Sequence, residues 1–275
     1  MDQDLSEDLI DAGRSYEALF VPALFETWTK HMVRGADVSP GSHVLDIACG
    51  TGVLARRALE KAGEGGRVVG ADPAPGMLAA ASELEPCIEW VLCGAEALAF
   101  EDDQFDCVMS QFGMMFFEDR DKAASEMHRV LKSGGALSLA VWRSVDHNPA
   151  YADIIRVLEQ HVGTAAADAL RMPYNLGDAD KVTGALEGAG FEQVTVEAIT
   201  ESARFPGSRQ MVEAELRGWL PIFDIILDED QIERVLIESD NLLGKYAAPS
   251  GEAVFPTSAH IFTCLLYTSP SPRDA

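Results

Sequence analysis

Apolar residues recur at helical spacing over 14–33, where Tyr16, Leu19, Phe20, Leu24, Phe25, Trp28 and Met32 follow a 3.6-residue repeat. Proline disfavours helix at the residue before it, so the Val21-Pro22 step is expected to split this stretch into two short helices. After the turn Ser39-Pro40-Gly41-Ser42 comes a short apolar strand at 43–48, closed by glycine. Helices and strands then alternate. Helix 53–62, strand 67–71, helix 75–84, strand 88–92, strand 105–110, helix 120–131 and strand 136–142 follow in order. The last of these is apolar nearly throughout, as strands buried on both faces are. Repeated β-α-β units of this length predict an α/β fold with a doubly wound, parallel sheet.

The alternation loosens beyond residue 142. One or two helices fall within 148–172, a helix at 178–189 precedes a strand at 191–199, and two helices occupy 208–246 before a last strand at 258–263. The segments at about 1–38, 148–175 and 207–247 are expected to form helical lid insertions over the sheet. A single domain over 1–263 is the predicted organisation, with its ligand-binding core at about 40–142. Residues 264–275, Cys-Leu-Leu-Tyr-Thr-Ser-Pro-Ser-Pro-Arg-Asp-Ala, resemble the translation of a sequencing-library adaptor and are read as non-native.

Charge narrows the partners. The 275 residues carry 21 Lys+Arg against 45 Asp+Glu, a formal net charge of -24, and no run of basic residues. Such a surface repels phosphate backbones, so no nucleic-acid partner is expected. No stretch approaches the roughly 20 apolar residues of a membrane-spanning helix, and residues 1–8 are acidic where a secretory leader is basic and then apolar. A cytoplasmic protein without an integral membrane segment is the expectation. The five cysteines form no Cys-x-x-Cys pair and the six histidines show no ligand spacing, so no metal site is expected.

The candidate chemistry starts at Gly50-Thr51-Gly52-Val53-Leu54-Ala55, a G-x-G-x-x-A turn between a strand and a helix. Such a turn presents backbone N–H groups and a helix N-terminus to a ligand. Asp72 follows about 20 residues on, as in dinucleotide-binding sites, so the turn alone fits a nicotinamide cofactor as well as any other. Asp46 changes that balance. A carboxylate four residues before Gly50 repels a pyrophosphate, yet suits a cation bearing an ammonium and a sulfonium.

Val44-Leu45-Asp46-Ile47-Ala48-Cys49-Gly50-Thr51-Gly52 closely resembles the first motif of class I S-adenosylmethionine-dependent methyltransferases, in the form common among relatives of the quinone-biosynthesis enzymes. The segments 69–78, 105–110 and 126–135 resemble their later motifs. The resemblance implies a Rossmann-like methyltransferase fold with seven strands, mostly parallel, the last antiparallel. It implies S-adenosylmethionine as cofactor and a small-molecule methyl acceptor, with O-, C- or N-methylation left open. Asp46 would lie at the amino acid end of the cofactor, with Ala48, Gly50, Thr51 and Gly52 against it. Asp72 would accept the ribose hydroxyls, Pro73 and Met77 would flank the adenine, and Ala95 and Glu96 would read its edge. Gln111 would touch the methionine carboxylate.

Transfer from a sulfonium needs alignment more than acid or base. Where the acceptor is a hydroxyl, His147 is the candidate base. Tyr16, Phe112, Met114, Met115, Phe116, Arg204, Arg217 and Trp219 are candidates for the acceptor pocket. Two other readings compete: a non-catalytic, cofactor-binding regulatory module, and an NAD-dependent oxidoreductase, against which Asp46 and the later motifs argue.

Overall fold

The computed structural model describes residues 6–266. Seven strands form one sheet: β1 (His43–Ile47), β2 (Arg67–Asp72), β3 (Glu89–Leu92), β4 (Phe105–Gln111), β5 (Leu131–Trp142), β6 (Glu192–Phe205) and β7 (Ala253–Leu265). Their order is β3-β2-β1-β4-β5-β7-β6. β1 to β5 pair in parallel, whereas β7 runs antiparallel to both of its neighbours. The order reverses between β1 and β4, and the carboxyl ends there open the crevice in which α/β sheets bind ligands.

Three helices lie within this alternation: α3 (Val53–Ala62), α4 (Pro75–Leu84) and α5 (Arg120–Val130). Each seats small side chains on the sheet, such as Ala55 and Ala58 on α3 and Ala123 and Ala124 on α5, all fully buried. Helix α8 (Ala179–Gly188) leads into β6.

The N-terminal segment departs from the expected break at proline. Helix α1 (Glu7–Phe20) runs through a π turn at Val21–Phe25 into α2 (Glu26–Gly35), and the Glu26 N–H donates to the Val21 carbonyl five residues back. The wider turn gives the Pro22 ring room beside the preceding turn of helix, so the chain continues instead of stopping. α1 lies directly on α4. A Cβ added at Gly13 would stand 2.9 Å from the Gly76 carbonyl oxygen, and one added at Gly76 would stand 2.4 Å from that of Leu9. The backbones touch there without side chains between them, and Arg14 ties the pair through Glu83 at 2.6 Å.

The antiparallel β6–β7 pair is longer than its sequence pattern predicts, reaching from Glu192 opposite Leu265 to Phe205 opposite Ala253. β6 is an edge strand exposed along most of its length, so its polar residues hide it from a search for apolar runs. Its far end turns inward. Phe205 is fully buried, stacked on Phe255 and edge-on to Phe20 of α1. Cys264 and Leu265, within the segment read as adaptor, complete β7, and Leu266 bonds to the Gly134-Gly135 turn; residues 267–275 lie outside those described.

The lid is built from α6 (Pro149–His161), α7 (Thr164–Arg171), α9 (Ser208–Ala214) and α10 (Glu229–Leu243). A second π turn, Glu215–Trp219, continues α9. α10 opens with a capping box in which Asp228 and Gln231 satisfy each other's backbone N–H groups.

Candidate active site

The turn after β1 is tightly wound. Ala48, Gly50 and Gly52 all have positive φ, at 55°, 55° and 85°. The Cys49 N–H donates to the Ala71 carbonyl of β2, and the Gly52 N–H to the Cys49 carbonyl. α1 is fastened over this turn. The Thr51 hydroxyl donates to Glu17, and Arg56 bonds both Glu17 and the Thr51 carbonyl at 2.6 Å.

Asp46, on β1, is 1 % exposed, and neither carboxylate oxygen has a hydrogen-bond partner of ordinary geometry. Burial pushes its carboxyl well above the usual range, and the Ala55 backbone amide offsets this only in part. Asp72, at the end of β2, differs. Its two oxygens accept from the N–H groups of Gly50 and Ala74, each at 2.8 Å, which fix the carboxylate while leaving lone pairs on both oxygens. Burial still raises its pKa above the ordinary value.

One cavity of about 990 Å³ joins this turn to the lid. Asp46, Ala48, Gly50, Thr51, Asp72, Pro73, Met77, Ala95, Glu96 and Gln111 line it. Two of them also hold structure together. Gln111 donates from Nε2 to the Phe25 carbonyl in the first π turn, and Glu96 accepts from the Glu118 N–H at 2.9 Å. Gly52 is the exception among the expected cofactor residues. It faces the indole of Trp90, where a Cβ would lie 2.3 Å from Cη2, so its role is to let β3 and the turn pack closely.

Of the expected acceptor residues, Tyr16, Phe112, Met115, Phe116, Arg217 and Trp219 line the same cavity. Met114 does not: it is fully buried in the core. Arg204 stands exposed on β6 opposite Val254, outside the cavity. His147 is also displaced from the site. It is exposed on a short 3-10 turn before α6, with Nδ1 3.0 Å from the Ser144 hydroxyl, and does not line the cavity.

The far end of the cavity carries groups that sequence spacing did not single out. Glu215 opens the second π turn, is 6 % exposed, and accepts from the Tyr151 hydroxyl at 3.2 Å. Burial raises its carboxyl to about 7, a shift the Tyr151 hydrogen bond opposes. Tyr174 joins the wall beside Tyr151, with ring centroids 5.9 Å apart. Phe112 and Trp142 stack at 3.8 Å, their planes nearly parallel, and form a flat apolar side. The only hint in sequence was that Glu215 precedes the expected lining residues Arg217 and Trp219.

Comparison with known proteins agrees with this geometry. Residues 44–135 match the family model described as a methyltransferase domain. The chain is similar to the ubiquinone/menaquinone biosynthesis C-methyltransferase of Xanthomonas campestris pv. campestris, 38% identical over 138 residues, which is 48% of this chain and 51% of that protein. The enzyme of the same name from Pseudoalteromonas translucida is 31% identical over 192 residues, covering 63% of this chain and 75% of that protein. The chain thus spans about half the length of the Xanthomonas relative and a larger share of the second.

Among solved structures, it resembles phosphoethanolamine N-methyltransferase 2 of Haemonchus contortus, with a TM-score of 0.58, 18% identity, and coverage of 94% of this chain and 58% of that one. The YcgJ protein of Bacillus subtilis gives a TM-score of 0.58 at 17% identity over 88% of this chain and 99% of that one. These two likenesses speak to the fold. With the sheet order, the glycine turn and the sequence relatives, they lead to one assignment: the chain belongs to the class I S-adenosylmethionine-dependent methyltransferases, among the relatives of the quinone-biosynthesis enzymes.

Proposed function

We propose that this protein transfers a methyl group from S-adenosylmethionine to a small, flat, largely apolar acceptor held under the lid. The observation that carries this reading is the single cavity running from Asp46 and Asp72 at the glycine turn to the aromatic walls of the lid. Its volume is at the upper end for small-molecule sites, which suits a cofactor and an acceptor side by side.

The residues at the turn fit the cofactor. Asp46 is a buried carboxylate with no hydrogen-bond partner of ordinary geometry among the described residues, and a ligand ammonium supplies the missing charge. Asp72 is held with lone pairs available to a vicinal diol. Pro73 and Met77 offer apolar surface to a purine, and Ala95 and Glu96 bring a backbone amide and a polar side chain to its edge. Gln111 is the amide nearest the role of receiving the cofactor's carboxylate. The cofactor, when bound, supplies an already activated methyl group. The protein supplies alignment and a largely apolar chamber.

The acceptor is read from the opposite end. Phe25, Phe112 and Trp142 make apolar surfaces suited to a ring. The curated relatives are named as C-methyltransferases of quinone biosynthesis, which supports a ring-bearing acceptor here. No relative named above supports a purely regulatory role. Calorimetry with S-adenosylmethionine, and detection of S-adenosylhomocysteine after incubation with a panel of phenols, quinols and amines, tests the proposal. Micromolar cofactor binding and turnover with a ring acceptor are expected. Absence of cofactor binding overturns it.

A further inference from the structure

Glu215 has no work in the cofactor site, yet the fold brings three phenols toward it. Tyr16 of α1, Tyr151 of α6 and Tyr174 of the turn after α7 line the same cavity as Glu215, and Tyr151 lies within hydrogen-bond distance of it. Tyr151 donates to Oε1, and Oε2 makes no hydrogen bond among the described residues. Among the described residues, no cation pairs with the carboxylate. Arg217, two residues on, is taken up by Glu213 and Glu229 at 2.9 Å each. Glu215 is thus a buried carboxylate on the cavity wall, hydrogen-bonded at one oxygen, in a space that phenols and aromatic rings line.

We propose, resting on the methyl-transfer reading, that the acceptor is a phenol whose hydroxyl donates to Glu215, and that this carboxylate removes the hydroxyl proton as the methyl group is transferred. The proton moves from the phenol oxygen to Oε2. The oxygen's electron pair forms the new bond to the methyl carbon, and the pair of the broken carbon–sulfur bond stays on sulfur. A carboxylate and a sulfonium enter the step, and a neutral acid and a neutral thioether leave it. Loss of both charges inside a largely apolar cavity favours the forward direction.

Other acceptor classes fit this end less well. An acidic acceptor meets a carboxylate with no basic neighbour to offset the repulsion. An ammonium pairs with Glu215 but keeps its nitrogen lone pair protonated. A neutral phenol satisfies the free oxygen and lays its ring along the aromatic walls. Glu215 is also held near the pH at which a carboxyl both accepts and returns a proton readily. Tyr151 is a positioning residue, steering Glu215 through Oε1.

The test uses the full chain with S-adenosylhomocysteine or S-adenosylmethionine, two phenols of different acidity, and the variants Glu215→Gln and Tyr151→Phe. Calorimetry with S-adenosylhomocysteine establishes that each variant is folded. With 4-methoxyphenol, neutral at pH 8, E215Q is expected to slow transfer by about 10²–10⁴-fold. With 4-nitrophenol, already ionised in water at that pH, the loss is expected to be less than about tenfold.

A second readout needs no turnover. The absorbance of 4-nitrophenol bound beside S-adenosylhomocysteine is expected to show ionisation at a pH about one unit or more higher in the wild type than in E215Q, because Glu215 repels the phenolate. Y151F is expected to shift the pH profile of 4-methoxyphenol transfer to higher pH, since Glu215 loses a donor that favours its charged form. Equal losses for both phenols, identical titrations of the bound probe, or turnover confined to amines overturns the assignment while leaving methyl transfer in place. Failure to bind S-adenosylhomocysteine overturns both.

Discussion

The indole of Trp90 lies against the α-carbon of Gly52, so closely that a methyl group there would sit 2.3 Å from Cη2. Gly52 also has a φ of 85°, where an L-residue is strained. Gly52→Ala is therefore expected to destabilise the protein by about 2–5 kcal/mol, from the left-handed backbone and the overpacking together. Urea unfolding checks the size of the loss. In a Trp90→Ala background the steric part disappears, so the two substitutions should be strongly non-additive.

Asp46→Asn should separate stability from binding. The buried carboxylate has no hydrogen-bond partner of ordinary geometry among the described residues, so the neutral amide is expected to stabilise the ligand-free form at pH 8 by about 1–3 kcal/mol. The same change should weaken S-adenosylmethionine binding by at least about 1.5 kcal/mol, because a charge-assisted contact is lost. Thermal unfolding and calorimetry read the two effects, and equal signs for both would show that Asp46 does not face the cofactor's ammonium.

Asp72→Ala is expected to weaken S-adenosylhomocysteine binding by about 2–4 kcal/mol, since it removes the diol acceptor and also leaves the Gly50 and Ala74 amides unpaired. Asp72→Asn, which keeps one acceptor oxygen, should lose less. Calorimetry on both variants checks the order.

Glu215 predicts a pH dependence of folding. Its carboxyl is raised in the folded protein from 4.5 to about 7, so the folded state binds more protons than the unfolded state between those values. Stability from this group is therefore highest below pH 4.5 and falls as pH rises through about 7, by about 3 kcal/mol in all. Asp46, raised for the same reason, acts in the same direction. Glu215→Gln should flatten the Glu215 part of the slope in urea midpoints taken from pH 5 to 8. An unchanged slope would show that Glu215 is solvated.

The glycine-turn end of the cavity was legible in the sequence because its parts are local. Asp46, Gly50 and Thr51 lie within one turn, and Asp72 ends the adjacent parallel strand, so alternation of strands and helices is enough to bring them together. The lid is different. Tyr151 and Glu215 are 64 residues apart, on helices whose packing no periodicity encodes. His147 lies outside the cavity lining for a related reason: its distance from β5 in sequence said nothing of the short turn that carries it. Pro22 was read by a rule for regular helices, and a π turn lies outside that rule.

The contact between Gly13 and Gly76 has a consequence for selectivity. α1 carries Tyr16, Leu19 and Phe20 into the cavity, and its height above α4 is set where the two backbones meet. Two missing side chains, neither of them lining the cavity, thus fix how far its roof stands from the sheet. A single methyl group added at either glycine would raise that roof and change which acceptors the chamber holds, without altering any residue that touches them.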